Sequence, residues 1–299
     1  MGEKKGNLPG KIRDVLVPFA VYYAVFMAAF FLLSCGLQML AGISGNGVQA
    51  DDAGTTAAAV RKLLEEHGET VTGIVNGISM LTGAAFLLPM FRAELQMRKS
   101  GGHKELYGRS AAAVLSVTAA LAAASSIGLN ILLSLTGLVQ NSAGYQRAAQ
   151  NQYGVMFGVG LFLYTVISPL AEEIVFRGVL FNRLLRHFCG SGGLPVSAAI
   201  VISGVMFGIY HGNLVQGIYG CCMGILITWL YERTHDFRIP CLFHGVANCA
   251  VYLTAQNTVL QEKLFTVPWC ALLLVVTVGL LCLLEKTVRR YSENSTKYH

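Results

Sequence analysis

Apolar residues run along this chain in blocks too long for the helices or strands of a soluble core. The blocks predict eight spans, at about 15–42, 71–91, 110–139, 153–171, 196–212, 215–231, 239–256 and 265–284. Several exceed the roughly 18 apolar residues that cross a bilayer as a helix. The spans use most of the length, so no separate soluble domain fits. Polar stretches between them are short except for 50–69, where Asp51, Asp52, Arg61, Lys62, Glu65, Glu66 and Glu69 suit a small amphipathic surface helix or a solvated loop. The predicted fold class is an all-α polytopic membrane protein with about eight transmembrane helices.

Composition sharpens that reading. The 299 residues are 54% hydrophobic and 13% charged, about half the charge of an ordinary soluble domain. Basic residues alternate in density along the chain. Lys4, Lys5, Lys11 and Arg13, the 92–109 segment, Arg183 and Arg186, Arg233 and Arg238, and the 286–297 tail hold seventeen of them. The intervening segments hold four: Arg61, Lys62, Arg147 and Lys263. By the positive-inside rule both termini are expected in the cytosol. The net charge of +6 follows from this bias and needs no nucleic-acid partner. The opening "MGEKKGNLPGKIRD" lacks a cleavable signal pattern. Eight cysteines without C-x-x-C spacing read as reduced packing residues.

Against this background, polar groups inside the spans are the informative ones, because each charge at mid-bilayer costs about 2.5–3.5 kcal/mol on insertion scales. They form three clusters: Glu172, Glu173 and Arg177; His211; and His244 with Asn248. Glu173 and Arg177 are four apart with the acid first, the favourable order for an ion pair on one helix face. Glu172 lies about 100° around the same helix and is left for another task. A turn signal, "CGSGGLP" at 189–195, separates this helix from the next. Measured from Gly192, Glu172 lies 20 residues back and His211 lies 19 forward. Equal offsets in an antiparallel pair mean equal depth, so the two can face one another. All these groups could instead be a buried network or interhelical glue. Together they supply a carboxylate, two imidazoles and a carboxamide, the parts that activate water and stabilise an oxyanion. Glycines at 154/158, 204/208/212 and 220/224 have the spacing that lets helices approach closely.

In order, "EEIVFR" (Glu172, Glu173, Arg177), "FGIYH" (Phe207, His211) and "HGVAN" (His244, Asn248) resemble the motifs of the CAAX-protease and bacteriocin-processing family of intramembrane proteases, also called the Abi family. The resemblance covers about 150–256. It implies an endopeptidase whose helices enclose an intramembrane catalytic cavity facing the cytosol, with a peptide or membrane protein as substrate and a bacterial plasma membrane as its setting. Glu172 would be the general base, Glu173 its support, and Arg177 the residue holding the glutamates. His211 and His244 would complete a water or metal site, and Asn248 would steady the oxyanion. Glu172, His211 and His244 would also make a zinc set with an open fourth position; metal-free activation of water fits the same residues. The expected organisation is N-terminal transmembrane helices over 1–150 (about three spans), a protease core over 151–256, and a last helix with a basic tail over 257–299.

The depths predicted for the three clusters disagree. Glu172 and His211 sit about 25–30 Å from the turn at 1.5 Å per residue, whereas His244 is one turn past Pro240. Either 178–207 projects beyond the bilayer, or the chain after His211 is broken or re-entrant. Two other functions remain compatible with the polar clusters: a non-catalytic immunity or scaffold protein, and a proton- or ion-coupled transporter, although no inverted repeat is visible. H-E-x-x-H zinc and paired-aspartate motifs are absent from the sequence.

Overall fold

The computed structural model describes residues 8–42, 56–100, 108–190 and 193–297. Lys4, Lys5, Asp51, Asp52, Lys104, and Ser191 with Gly192 at the centre of the predicted turn, lie outside them. The described residues form eleven helices: α1 (Leu8–Leu40), α2 (Thr56–Ser100), α3 (Gly108–Leu135), α4 (Leu138–Asn141), α5 (Ala143–Tyr153), α6 (Phe157–Phe188), α7 (Val196–Tyr210), α8 (Leu214–Thr234), α9 (Arg238–Ala255), α10 (Thr258–Leu264) and α11 (Val267–Lys297). Six of these (α1, α2, α3, α6, α8 and α11) are long and apolar enough to cross a membrane. The chain is a polytopic, all-α membrane protein. Large side chains such as Phe31, Leu32 and Met39 on α1, and Val275 on α11, point outward, where lipid tails are as apolar as they are.

Each predicted span falls on a helix, but two fall short of the criteria for a crossing. The 15 residues of α7 reach about 22 Å, less than the roughly 30 Å hydrocarbon core. It stops because the chain turns back at His211 and Gly212, whose φ of 72° is left-handed. Asn213 then caps α8 by accepting the Gln216 N–H at 3.0 Å. The 18 residues of α9 pack against α3, α6 and α8 and so need no fully apolar face. The polar 50–69 stretch is helical from Thr56 and breaks helical geometry at His67 (φ −136°, ψ 31°) before α2 continues.

The central helix is α6, which touches α1, α2, α7, α8 and α9. Its turns widen to π geometry over Leu163–Ile167 and Ile174–Phe181, a distortion that often accompanies functional sites. The Ser168 N–H bonds the Leu163 carbonyl, five residues back. In that register residue 169 would next meet the Tyr164 carbonyl, but Pro169 has no N–H. Asn248 fills the gap from α9, donating Nδ2–H to the Tyr164 oxygen at 3.0 Å. One residue on, the Thr165 carbonyl approaches Gly245 so closely that a Cβ there would lie 2.7 Å from it. Proline, asparagine and glycine thus seat α9 on α6 while keeping the freed backbone satisfied.

Glycines set the second close contact. A Cβ on Gly208 would lie 2.5 Å from the Gly217 carbonyl, and one on Gly204 would lie 2.6 Å from the Ile225 nitrogen. Gly220 and Gly224 face them across the α7–α8 hairpin. The predicted Gly154/Gly158 pair acts only in part: Gly154 ends α5, where a Cβ would lie 3.1 Å from the Glu69 side chain of α2, and Gly158 has open space around it.

Ion pairs gather at one end of the bundle. Arg183 bonds Asp14 and Glu94, Arg186 bonds the same two carboxylates, Arg98 bonds Asn182 and Glu232, and Arg233 pairs with Glu285. Asn182, Glu232 and the end of α2 are therefore level. This belt lies ten residues past Glu172, about 15 Å along the helix, and His244 lies about 9 Å past Arg238. Measured from the belt instead of from the turn, the two depths differ by only about 6 Å.

Candidate active site

Two apolar clusters make up the interior. One joins α1, α2, α6 and α7 through residues such as Tyr22, Leu87, Phe176 and Phe207. The other joins α3, α8, α9 and α11 through Leu121, Ile227, Phe243 and Leu284. A cavity of about 200 Å³ opens at their seam, bordered by Phe207 from the first cluster and by Met223, Ile227 and Ala247 from the second. Glu172, His211, His244 and Asn248 all line it, with Ser168, Tyr164 and Tyr219.

Glu173 and Arg177 sit behind this lining, both with no exposed surface. Arg177 Nη1 donates to Glu173 Oε1 at 2.8 Å, the pair expected from their spacing. The rest of the guanidinium is satisfied from α8, by the Gly224 carbonyl at 3.1 Å and the Thr228 hydroxyl at 3.3 Å. Its carbon lies 4.6 Å from the centre of the Phe207 ring, a cation–π contact that favours the charge in a dry setting. A lone buried charge would be costly; one that is paired and fully hydrogen-bonded is tolerable. Glu173 Oε1 also receives His244 Nδ1–H at 2.7 Å, while its Oε2 is buried without a partner among the described residues.

These contacts fix the histidines. Because a carboxylate and a carbonyl only accept, His244 Nδ1 is the donor to Glu173, and His211 Nδ1 is the donor to the Phe207 carbonyl at 2.9 Å. Both rings therefore have Nε2 free to act as a base, the orientation logic common around reactive histidines. His244 Nε2 lies 3.7 Å from Glu172 Oε2, too far for a hydrogen bond. Phe207 stands between the rings, edge to face with His211 at 4.9 Å and with His244 at 5.5 Å between centres. Glu172 is not unattended: Ser168 Oγ donates to its Oε1 at 2.8 Å.

The structure thus brings four candidate residues to one cavity and sets Glu173, Arg177 and Phe207 as their backing. Ser168, Thr228 and the Gly224 carbonyl are contributors that motif reading missed. Ser168 had a signal, since it stands one turn before Glu172; Thr228 and Gly224 had none, because they act from another helix. For a metal, the donor chemistry is half suitable: each histidine gives away its Nδ1 hydrogen and keeps Nε2. Geometry does not complete the set. Among the described residues, no three His, Cys, Asp or Glu side chains stand within reach of one ion.

Comparison with known proteins bears on the same region. Residues 154–250 match the family described as "Type II CAAX prenyl endopeptidase Rce1-like". The chain is 28% identical over 167 residues to "Putative membrane peptidase YdiL" of Bacillus subtilis, covering 46% of this chain and 65% of that protein. It is 28% identical over 90 residues to "Membrane-embedded CAAX protease MroQ" of Staphylococcus aureus, covering 29% and 36%. It is 24% identical over 88 residues to "UPF0177 protein YxdF" of Lactococcus lactis, covering 29% and 45%. In each case the match spans less than two thirds of the relative's length. No solved structure matches the chain significantly.

Proposed function

We propose, for a chain whose core at 154–250 belongs to the CAAX-protease and bacteriocin-processing family, that it is an intramembrane endopeptidase using a water held between Glu172 and His244. The observation that carries this reading is the 3.7 Å separation of Glu172 Oε2 and His244 Nε2 at the wall of a cavity. Both atoms are acceptors. A water about 2.8 Å from each would donate one hydrogen to either side, satisfying both. Its oxygen lone pairs would then face the cavity.

In the proposed reaction Glu172 takes a proton from this water as it attacks the substrate carbonyl. Ser168 stabilises the carboxylate in its charged form. His244 is held in one tautomer by Glu173, and Glu173 in turn by Arg177, so the ring needs no reorientation as charge develops. Asn248 commits one amide hydrogen to the Tyr164 carbonyl and has a second to offer the oxyanion. The leaving amine receives the proton that Glu172 took from the water, with the uncommitted Nε2 of His211 as the proposed relay between them. No step is routed through a metal, since the residues do not converge on one ion.

The test is Glu172→Gln, which keeps the shape and the Ser168 contact but removes the base. Cleavage of membrane-derived peptides is expected to fall by about 10²–10⁴-fold with expression unchanged. A variant that cleaves at the wild-type rate would refute the assignment. Activity is also expected to survive a zinc chelator, and metal analysis of the active protein is expected to give well under one zinc per chain.

A further inference from the structure

Helix α1 lies wholly outside the residues that match the family, yet one of its side chains reaches the backing of the site. Its buried residues are Val15, Pro18 and Tyr22, three positions that share one helix face. Tyr22 has 0% exposure and is the polar one. Its ring is seated where α2 has no side chain: a Cβ on Gly83 would lie 2.8 Å from Tyr22 Cδ2 and 3.1 Å from the Tyr22 carbonyl oxygen. Packing alone would suit phenylalanine there, because a buried hydroxyl costs free energy unless it is hydrogen-bonded. The hydroxyl has a use. Its oxygen lies 3.3 Å from that of Tyr210, a long hydrogen bond in which either tyrosine can donate.

Tyr210 is the last residue of α7, and His211 follows it at the turn. A helix end is its least supported part, since the final carbonyls lack intrahelical partners. Three contacts hold the His211 ring there. Nδ1 donates to the Phe207 carbonyl at 2.9 Å, and the rings of Phe207 and Tyr210 meet the imidazole edge to face, with centres at 4.9 and 5.7 Å. Phe207 is backed by Phe176 and Arg177. Tyr210 is backed by the rings of Phe176 at 5.4 Å and Phe19 at 6.2 Å, and its hydroxyl is fixed from α1 by Tyr22.

We infer that Tyr22 is a positioning residue for the reaction: by holding Tyr210 it keeps the His211 ring bonded to the Phe207 carbonyl, with Nε2 free for the relay. The catalytic half of this inference rests on the peptidase reading; the hold on the ring does not. Neither tyrosine lines the cavity, so the pair acts on the rate of the bound complex and not on substrate binding.

Tyr22→Phe in the full-length chain tests this, since it removes one oxygen and keeps the ring against Gly83. The probe is a fluorogenic peptide selected for cleavage by the wild-type chain in detergent. The kcat is expected to fall about tenfold, the rate equivalent of losing one well-placed hydrogen bond, with KM unchanged. Tyr210→Phe breaks the same bond and decides the matter if Tyr22→Phe does not fold. The double variant is expected to be no slower than either single one. Ring-nitrogen NMR of histidine-labelled protein, with His211→Gln identifying the signal, reads the hold directly. His211 is expected as one Nδ1–H tautomer in the wild type and as a mixture of tautomers in Tyr22→Phe. Wild-type kcat in Tyr22→Phe, a raised KM in place of the lowered kcat, additive losses in the double variant, or an unchanged His211 signal would each overturn the inference. Should the wild type cleave no peptide, the peptidase reading fails, and the NMR alone decides whether Tyr22 holds His211.

Discussion

Arg177 is the largest fully buried side chain among the described residues, and its partners determine what each charge in the motif can do. Its bond to Glu173, with Thr228 and Gly224 on the far side, makes a closed unit from which Glu172 is excluded. Arg177→Met would leave Glu173 buried without its cation, which typically costs about 3–5 kcal/mol. The double variant Glu173→Gln/Arg177→Met removes both charges and is expected to recover most of that loss. Thermal midpoints in detergent measure both. Activity is not expected to return in the double variant, because His244 loses the carboxylate that fixes its tautomer. The pair itself was legible from a four-residue spacing. The role of Ser168 and the satisfaction of Arg177 from α8 were not, since they depend on which helix lies opposite.

At the scale of elements, the seating of α9 on α6 joins stability to the site. Asn248 has a structural duty, completing the Tyr164 carbonyl that Pro169 cannot reach, besides its proposed duty to the oxyanion. Asn248→Ala should therefore destabilise by about 1–3 kcal/mol, the cost of an unsatisfied buried acceptor, as well as slow cleavage. In a Pro169→Ala background a backbone N–H becomes available, and the stability cost of Asn248→Ala should shrink; a double-mutant cycle reads the coupling directly. The loss of cleavage should remain. Gly208→Val tests the other contact. Its Cβ would press on the Gly217 carbonyl, and backbone cannot yield as a side chain does, so α7 and α8 must part. A loss of about 1–3 kcal/mol and displacement of Phe207 and His211 are expected, visible as lower thermal stability with lower activity. The glycine spacing at 204/208 and 220/224 announced this packing in the sequence. The same spacing at 154/158 gave no second seam, because Gly154 closes a surface helix against Glu69 and Gly158 has open space around it.

For the whole molecule, hydropathy revealed the class and the order of helices but counted two more clear spans than length and composition support. The reason is that α7 turns back at the cavity and α9 is enclosed by other helices, so neither is shaped by lipid alone. Equal offsets from Gly192 did bring Glu172 and His211 to one cavity. What the offsets could not reveal is the belt at Asn182, which sets the depth scale. It depends on side chains of α1, α2, α6 and α8 meeting across the bundle, and no periodicity encodes that.

The central claim is that Glu172 activates water for peptide hydrolysis. Labelling of new peptide N-termini in membranes from cells carrying the wild-type chain, Glu172→Gln, or no copy tests it most directly. The account predicts a set of termini present with the wild type and missing from both other samples, with Glu172→Gln protein accumulating normally. Termini that persist unchanged with Glu172→Gln, or a wild-type profile indistinguishable from that of cells without the protein, would contradict it.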